Sequence, residues 1–187
     1  GAYFITICTQ NRKCYFGEIE NGKMILSEIG KIVETEWLKT TDLRPDMNLQ
    51  LDAYVIMPNH FHAIIIIGKN DYNTKRGVEQ KMECGVERVV QWGMERRDAM
   101  HCISTDTTTK TTNPTKNHFG PQSKNLASII RGFKTGVTIN ARKLNPYFTW
   151  QPRFHDHIIR DNDSFLRIHT YILQNPHKWE NDKFHKR

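Results

Sequence analysis

The sequence predicts an α+β fold: a ferredoxin-like β-α-β-β-α-β core with an added helix at its C-terminal end. Three observations carry this. Residues 2–10, 48–57 and 60–67 alternate or run together in β-branched, aromatic and aliphatic residues, and 148–159 does so more weakly. Residues 26–39, 124–144 and 163–174 instead repeat their apolar positions every three or four residues. The resulting order is strand, helix, strand, strand, helix, strand, helix, which is the split β-α-β arrangement plus one helix.

Each element has its own warrant. In the first strand Tyr3, Ile5 and Ile7 alternate with Phe4, Thr6 and Cys8, so both faces are mostly apolar, as in a central strand. Asn21-Gly22 is a hairpin turn signal within residues 16–25. Helix 26–39 has Ser27 as a candidate N-cap and Ile29, Val33 and Trp37 on one stripe. In residues 48–57, Leu49, Leu51, Ala53 and Val55 are expected on one face. Pro58-Asn59 reads as a turn. The run Ile64, Ile65, Ile66, Ile67 after it suits a strand buried on both faces. Helix 124–144 carries Leu126, Ile129, Ile130, Phe133, Val137, Ala141 and Leu144 inward, with Ser123 as the expected cap and Pro146 as the terminator. Its polar face holds Lys124, Arg131, Lys134, Arg142 and Lys143. Strand 148–159 would set Arg153, His155, His157 and Ile159 on one face. The last helix begins near Asp163 or Ser164 and packs through Phe165, Ile168 and Ile172, until Pro176 stops or kinks it.

At 187 residues the chain suits a single domain, 1–187. Residues 69–123 break the pattern. They hold a repeated Gly-Val-Glu at Gly77 and Gly85 and a threonine-rich run from Thr105 to Thr115, and read as an insertion or mobile excursion. Within it, residues 86–94 could form a short helix or hairpin. Lys and Arg total 27 against 20 Asp and Glu, giving +7 and a pI near 9.3, so an anionic partner is favoured. Cys8, Cys14, Cys84 and Cys102 form no Cys-x-x-Cys pair, which argues against a zinc ribbon and for reduced thiols. No leader is visible, and the apolar run 63–67 is far short of the ~20 residues that span a bilayer. A soluble, cytoplasmic protein is expected. The chain opens directly on a strand pattern at Gly1, so residues upstream of it are expected too.

The chemistry-bearing residues cluster late in each half. In Met57-Pro58-Asn59-His60-Phe61-His62 the two histidines stand two apart in a strand, so both imidazoles share one face and could reach one metal ion. Two hydrogen-bonded histidines on a half-exposed strand are an equally natural reading of the pair alone. Tyr171 and Asn175, four apart on a helix, present a hydroxyl and an amide oxygen side by side. A tyrosine hydroxyl, with a pKa of ~10, is a weak nucleophile unless a cation assists it; packing on the core is the alternative. His155 and His157 repeat the two-apart spacing and offer a rival metal pair, or contacts to phosphate together with Arg153 and Arg160.

Taken together these segments resemble the IS200-like single-tyrosine transposases of the His-hydrophobic-His class, and most closely the branch associated with repeated extragenic palindromes (REP). The matching stretches are residues 2–12, 53–62, 129–134 and 150–157, and Tyr171-Ile172-Leu173-Gln174-Asn175-Pro176. The resemblance covers nearly all of the chain except residues 69–123. It implies a ferredoxin-like fold and metal-dependent cleavage and strand transfer of single-stranded DNA near hairpins, through a 5′-phosphotyrosine intermediate. Tyr171 would be the nucleophile, with His60, His62 and Asn175 holding Mg²⁺ or Mn²⁺. Arg12, Lys124, Arg131, Lys134, Arg153, His155, His157 and Arg160 would be the contacts to DNA. The same resemblance leaves monomer and homodimer both open. A catalytically inactive hairpin-binding protein is the alternative function.

Overall fold

The computed structural model describes residues 1–74 and 123–185. The strands are β1 (Ala2–Cys8), β2 (Gly17–Glu20), β3 (Lys23–Leu26), β4 (Leu49–Met57), β5 (His60–Ile67) and β6 (His155–Ile159). The helices are α1 (Glu28–Leu38), α2 (Leu126–Ala141) and α3 (Asn162–Gln174). β4, β5, β1 and β6 lie in that order in one antiparallel sheet, and β2 and β3 form a separate hairpin. With the hairpin set aside, this is the expected ferredoxin-like core followed by α3. The predicted excursion at 69–123 and the short element at 86–94 fall mainly outside the described residues.

Strand alternation divides the sheet's side chains between two faces. Ile5, Ile7, Phe61, Ala63 and Ile65 point to one face, where α1 supplies Ile29, Val33 and Trp37 and α2 supplies Ile129, Ile130, Phe133 and Val137. Trp37, Phe61 and Phe133 meet there with ring centroids 5.0–5.4 Å apart. On the opposite face α3 buries Ile172 against Ile64 and Ile159, with Phe165, Ile168 and Phe4 beside them. β1 and β5 are buried on both faces, as their two-sided apolar patterns require.

Local chemistry sets the element ends. Ser27 accepts a hydrogen bond from the Gly30 backbone N–H (3.1 Å) and so caps α1 as predicted. The Asn21-Gly22 turn has φ of 49° and 72°, the pair of positive values that a tight hairpin needs. α2 is capped by Asn125 rather than by Ser123. The Asn125 side chain accepts from the Ser128 N–H (2.9 Å), and the Asn125 N–H donates to Ser128 Oγ, a reciprocal box that Ser123 lies too far upstream to make. The helix ends at Ala141, so Leu144 is exposed rather than part of the stripe.

Two strand expectations are corrected. β4 slips register between Leu51 and Tyr54. Across that bulge Leu49 and Leu51 share the α1/α2 face with Tyr54 and Ile56, while Ala53 and Val55 turn to the α3 face, so the four residues are not one row. The predicted strand 148–159 is reduced to β6, with only a Thr9–Trp150 bridge ahead of it. Pro152 offers no N–H, Arg153 sits at φ 66°, and Lys134 Nζ draws in the carbonyls of Gln151 (2.8 Å) and Arg153 (3.0 Å). Arg153 therefore does not share the His155–Ile159 row. At the sequence start, β1 ends at Cys8 because residues 10–12 wind into a 3₁₀ turn.

Candidate active site

His60 and His62 open β5 on the α3 face, opposite Cys8 and Thr6 of β1. Both are buried. The buried Asn59 side chain is oriented by its own amide, whose Nδ2 donates to the carbonyls of Phe184 (2.9 Å) and Arg12 (3.3 Å). Its Oδ1 is thereby left to accept from His60 Nδ1 at 2.9 Å. The proton is thus held on Nδ1, and Nε2 carries the free lone pair. His62 repeats the arrangement: Nδ1 pairs with Thr6 Oγ1 at 2.8 Å, and Nε2 faces the Tyr171 hydroxyl at 3.3 Å. The two imidazole centroids are 4.6 Å apart.

α3 supplies the other half. Asp161 caps it by accepting from the Ser164 N–H (2.7 Å), and the packing of Ile172 sets its rotation. Tyr171 then stands next to His62, with 37% of its surface exposed, and Asn175, one turn on, is buried. Asn175 hydrogen-bonds Tyr171.

The electrostatics favour a neutral site. Burial, followed by the neighbouring His62, holds His60 well below the ordinary histidine value. Burial, with Lys183 adding to it, lowers His62 to about 3. Burial raises the Tyr171 hydroxyl, and Asp182 raises it further, while the Asn175 hydrogen bond opposes both. Unaided, this tyrosine is a poorer nucleophile than one in water.

Three polar atoms suit a divalent cation here: His60 Nε2, His62 Nε2 and Asn175 Oδ1. Two of them, His60 Nε2 and Asn175 Oδ1, are buried with no hydrogen-bond partner. Leaving such groups unmet costs about 1–3 kcal/mol each, which a bound cation would relieve. Two imidazoles and one amide oxygen form a donor set of mixed softness that suits Mg²⁺ poorly enough, and Mn²⁺ well enough, to prefer the latter. Among the described residues no cluster of three or more His, Cys, Asp or Glu is present, and Asn175 is the residue beside the two histidines that could add a third donor.

The remaining candidates divide. His155 lies across β1 from this centre, opposite Thr6, and lines the same cavity of about 720 Å³ with His62, Tyr171 and Asn175. Arg12 lies over the Phe184 ring (5.2 Å) and adds positive potential at His60. His157 and Arg160 line a separate hollow with Arg167, so His155 and His157 do not share one cavity. Arg131, Lys134 and Arg153 gather in a groove beside α2. Lys124 is drawn away to Asp46 and lies over Tyr72. The sequence reading missed Thr6, which sits in a plain strand pattern, and used Asn59 only as a turn residue. It also missed the segment after α3, where Phe184 packs on His60 with centroids 4.6 Å apart.

Comparison with known proteins gives one sequence relative and a structural likeness. No family model matches the chain. A Haemophilus influenzae protein described as uncharacterized is 36% identical over 187 residues, covering 99% of this chain and 85% of its own length. Among solved structures, a REP-associated tyrosine transposase bound to a REP hairpin superposes with a TM-score of 0.53 at 19% identity, covering 95% of this chain and 67% of that one. That likeness establishes a shared fold. A Deinococcus radiodurans structure reaches a TM-score of only 0.42 at 12% identity, over 92% of this chain and 88% of that one, too distant to argue from.

Proposed function

The chain belongs to the same family as the Haemophilus influenzae protein, and on that premise we propose that it is a transposase that cuts and rejoins single-stranded DNA near hairpins through a covalent tyrosine intermediate. The observation that carries this reading is the pair of buried, partnerless atoms His60 Nε2 and Asn175 Oδ1, flanking His62 and the Tyr171 hydroxyl. The transposase with the shared fold is bound to a hairpin, which supports the choice of substrate.

In the proposed reaction Tyr171 Oη attacks a backbone phosphorus, and the bond from phosphorus to the 3′ oxygen breaks. The products are a free 3′-hydroxyl and a 5′-phosphate ester of Tyr171. Attack by another 3′-hydroxyl then restores a phosphodiester and frees the tyrosine, so bond energy is conserved and no nucleotide cofactor is needed. A divalent cation held by His60, His62 and Asn175 would polarise the phosphate and lower the cost of the phenolate. His62 Nε2, 3.3 Å from the hydroxyl, places the cation that it would hold beside Tyr171 Oη, where the attacking oxygen must lose its proton. Asn59 Oδ1, which can only accept, holds the His60 proton on Nδ1, and Thr6 Oγ1 fixes the orientation of the His62 ring through its Nδ1. His155 and Arg12 are placed to meet the negative phosphate.

All the proposed catalytic groups lie on one chain, which favours a monomer as the active unit, with 1–187 as one catalytic domain and 69–123 as an excursion from it. Action on chromosomal DNA would put the protein in the bacterial cytoplasm. Among the described residues no helix is long and apolar enough to cross a membrane.

The test is a denaturing gel of the protein incubated with a labelled single-stranded hairpin DNA and Mn²⁺. A slow-migrating DNA–protein adduct that Tyr171→Phe abolishes is expected. Undiminished cleavage by that variant would remove the tyrosine from the mechanism, and binding without nicking under any divalent ion would favour the inactive hairpin-binding alternative.

A further inference from the structure

A second feature lies on the opposite side of the β6 edge from the tyrosine. α2 and the loop 149–154 enclose an open groove of about 580 Å³, within the ~300–1,000 Å³ range of ligand sites. Its wall carries Arg131, Lys134, Arg142 and Arg153, and among the described residues no carboxylate lines it. The guanidinium groups of Arg131 and Arg153 have no hydrogen-bond or ion-pair partner among the described residues and are exposed. Lys134 is half-buried and spends its Nζ on the carbonyls of Gln151 and Arg153, which keeps Arg153 in its left-handed backbone conformation. A non-glycine residue is strained there, so the loop is maintained in this shape by that grip. The floor is apolar: Ile139 is 59% exposed, and Trp150 and Phe154 are only partly buried.

Uncompensated cations above an apolar floor fit a ligand with phosphates along one side and flat apolar faces along the other, which is an unpaired nucleic-acid strand. A duplex would offer the phosphates but hide the bases. The groove is also tied to the reactive centre through the backbone. Gln151 N–H donates to the Cys8 carbonyl (2.9 Å), and Cys8 pairs with His60 across the sheet. Phe154 lines the groove, and its chain neighbour His155 lines the cavity of Tyr171. A strand crossing the start of β6 would therefore occupy both.

We infer that this groove binds the unpaired flank of the DNA substrate, with phosphates held by Arg131 and Arg153 and a base seated over Ile139 and Phe154. The inference rests on the DNA reading above and adds to it a second, non-catalytic subsite that holds the strand while Tyr171 acts. The contacts made there are to backbone and base faces, so the groove tolerates many sequences.

Fluorescence anisotropy with a labelled single-stranded oligonucleotide, and with an abasic strand of the same length, tests it. Arg131→Ala is expected to weaken both strands about tenfold and to lower the salt dependence by about one phosphate contact. Arg131→Lys should recover part of that loss. Ile139→Ser, at an exposed position, should weaken only the base-bearing strand, by about threefold. Wild-type-like binding by Arg131→Ala overturns the inference. So does an equal loss for both strands in Ile139→Ser, or a duplex that competes as well as the single strand. Adduct formation by the same wild-type preparation separates the two proposals: adduct with no dependence on Arg131 discards the groove alone, and groove-dependent binding with no adduct discards the nuclease reading alone.

Discussion

The same strand, β5, faces two different environments. On the α1/α2 side Phe61, Ala63 and Ile65 enter a dry core with Trp37 and Phe133. On the α3 side Ile64 joins a smaller cluster with Ile159 and Ile172, edged by partly buried Phe4, Val55, Phe165 and Ile168, and two residues earlier the row becomes His62 and then His60. The first face has apolar partners throughout. The second face buries two imidazoles and an amide, with two of their polar atoms unmet. A residue on the first face should matter to folding, and one on the second to ligand binding, sometimes at the expense of stability.

The largest expected effect breaks the first face. Phe61→Ala should cost about 3–5 kcal/mol, because the ring contacts Trp37, Phe133 and Tyr54 and the rigid sheet cannot close the void. Chemical denaturation would measure it. Tyr171→Phe on the other face should change stability by no more than about 0.5 kcal/mol.

Acid exposes the second face. His60 and His62 are held below the ordinary value of 6.5, His62 to about 3. Between pH 6.5 and about 3 the unfolded chain takes up protons that the folded chain refuses, so stability of the metal-free protein falls as pH drops through that window. Denaturation midpoints measured across it should decline steeply, and His62→Gln should flatten the decline. A wild-type profile as flat as that of the variant would refute the buried, neutral pair.

Smaller effects sharpen the contrast. Thr6→Val keeps the shape and removes the hydroxyl paired with His62 Nδ1, so Mn²⁺ affinity measured by calorimetry should fall about 10–100-fold. Asn175→Leu removes a buried oxygen without a partner together with the hydrogen bond to Tyr171, so the two effects offset and the stability of the metal-free protein should stay within about 1 kcal/mol while Mn²⁺ binding weakens. Destabilisation well beyond the loss of the bond to Tyr171 would mean that Asn175 Oδ1 already has a structural partner.

What the sequence reveals follows the same division. The core face is written in local periodicity: Ile29, Val33 and Trp37, or Ile129, Phe133 and Val137, declare their helix faces by spacing alone. His60 with His62, and Tyr171 with Asn175, are each visible as pairs for the same reason. Their meeting is not, because β5 and α3 are joined only by tertiary packing. Thr6 and His62 are 56 residues apart, and no pattern in a strand marks one threonine as an imidazole partner. Asn59 was within reach, since it adjoins His60, but its turn role hid its hydrogen-bonding role. The β4 bulge and the shortened β6 were hidden because each depends on a partner: the register against β5 for one, and the grip of Lys134 on the loop 151–153 for the other.

The central claim is that Tyr171, beside His60, His62 and Asn175, forms the covalent bond to DNA. The most direct measurement is mass spectrometry of the proteolysed adduct formed with a hairpin oligonucleotide and Mn²⁺. The account predicts a 5′-phosphonucleotide on the peptide containing Tyr171 and on no other. A nucleotide on a different residue, or cleaved DNA bearing a free 5′-phosphate with unmodified protein, would contradict it.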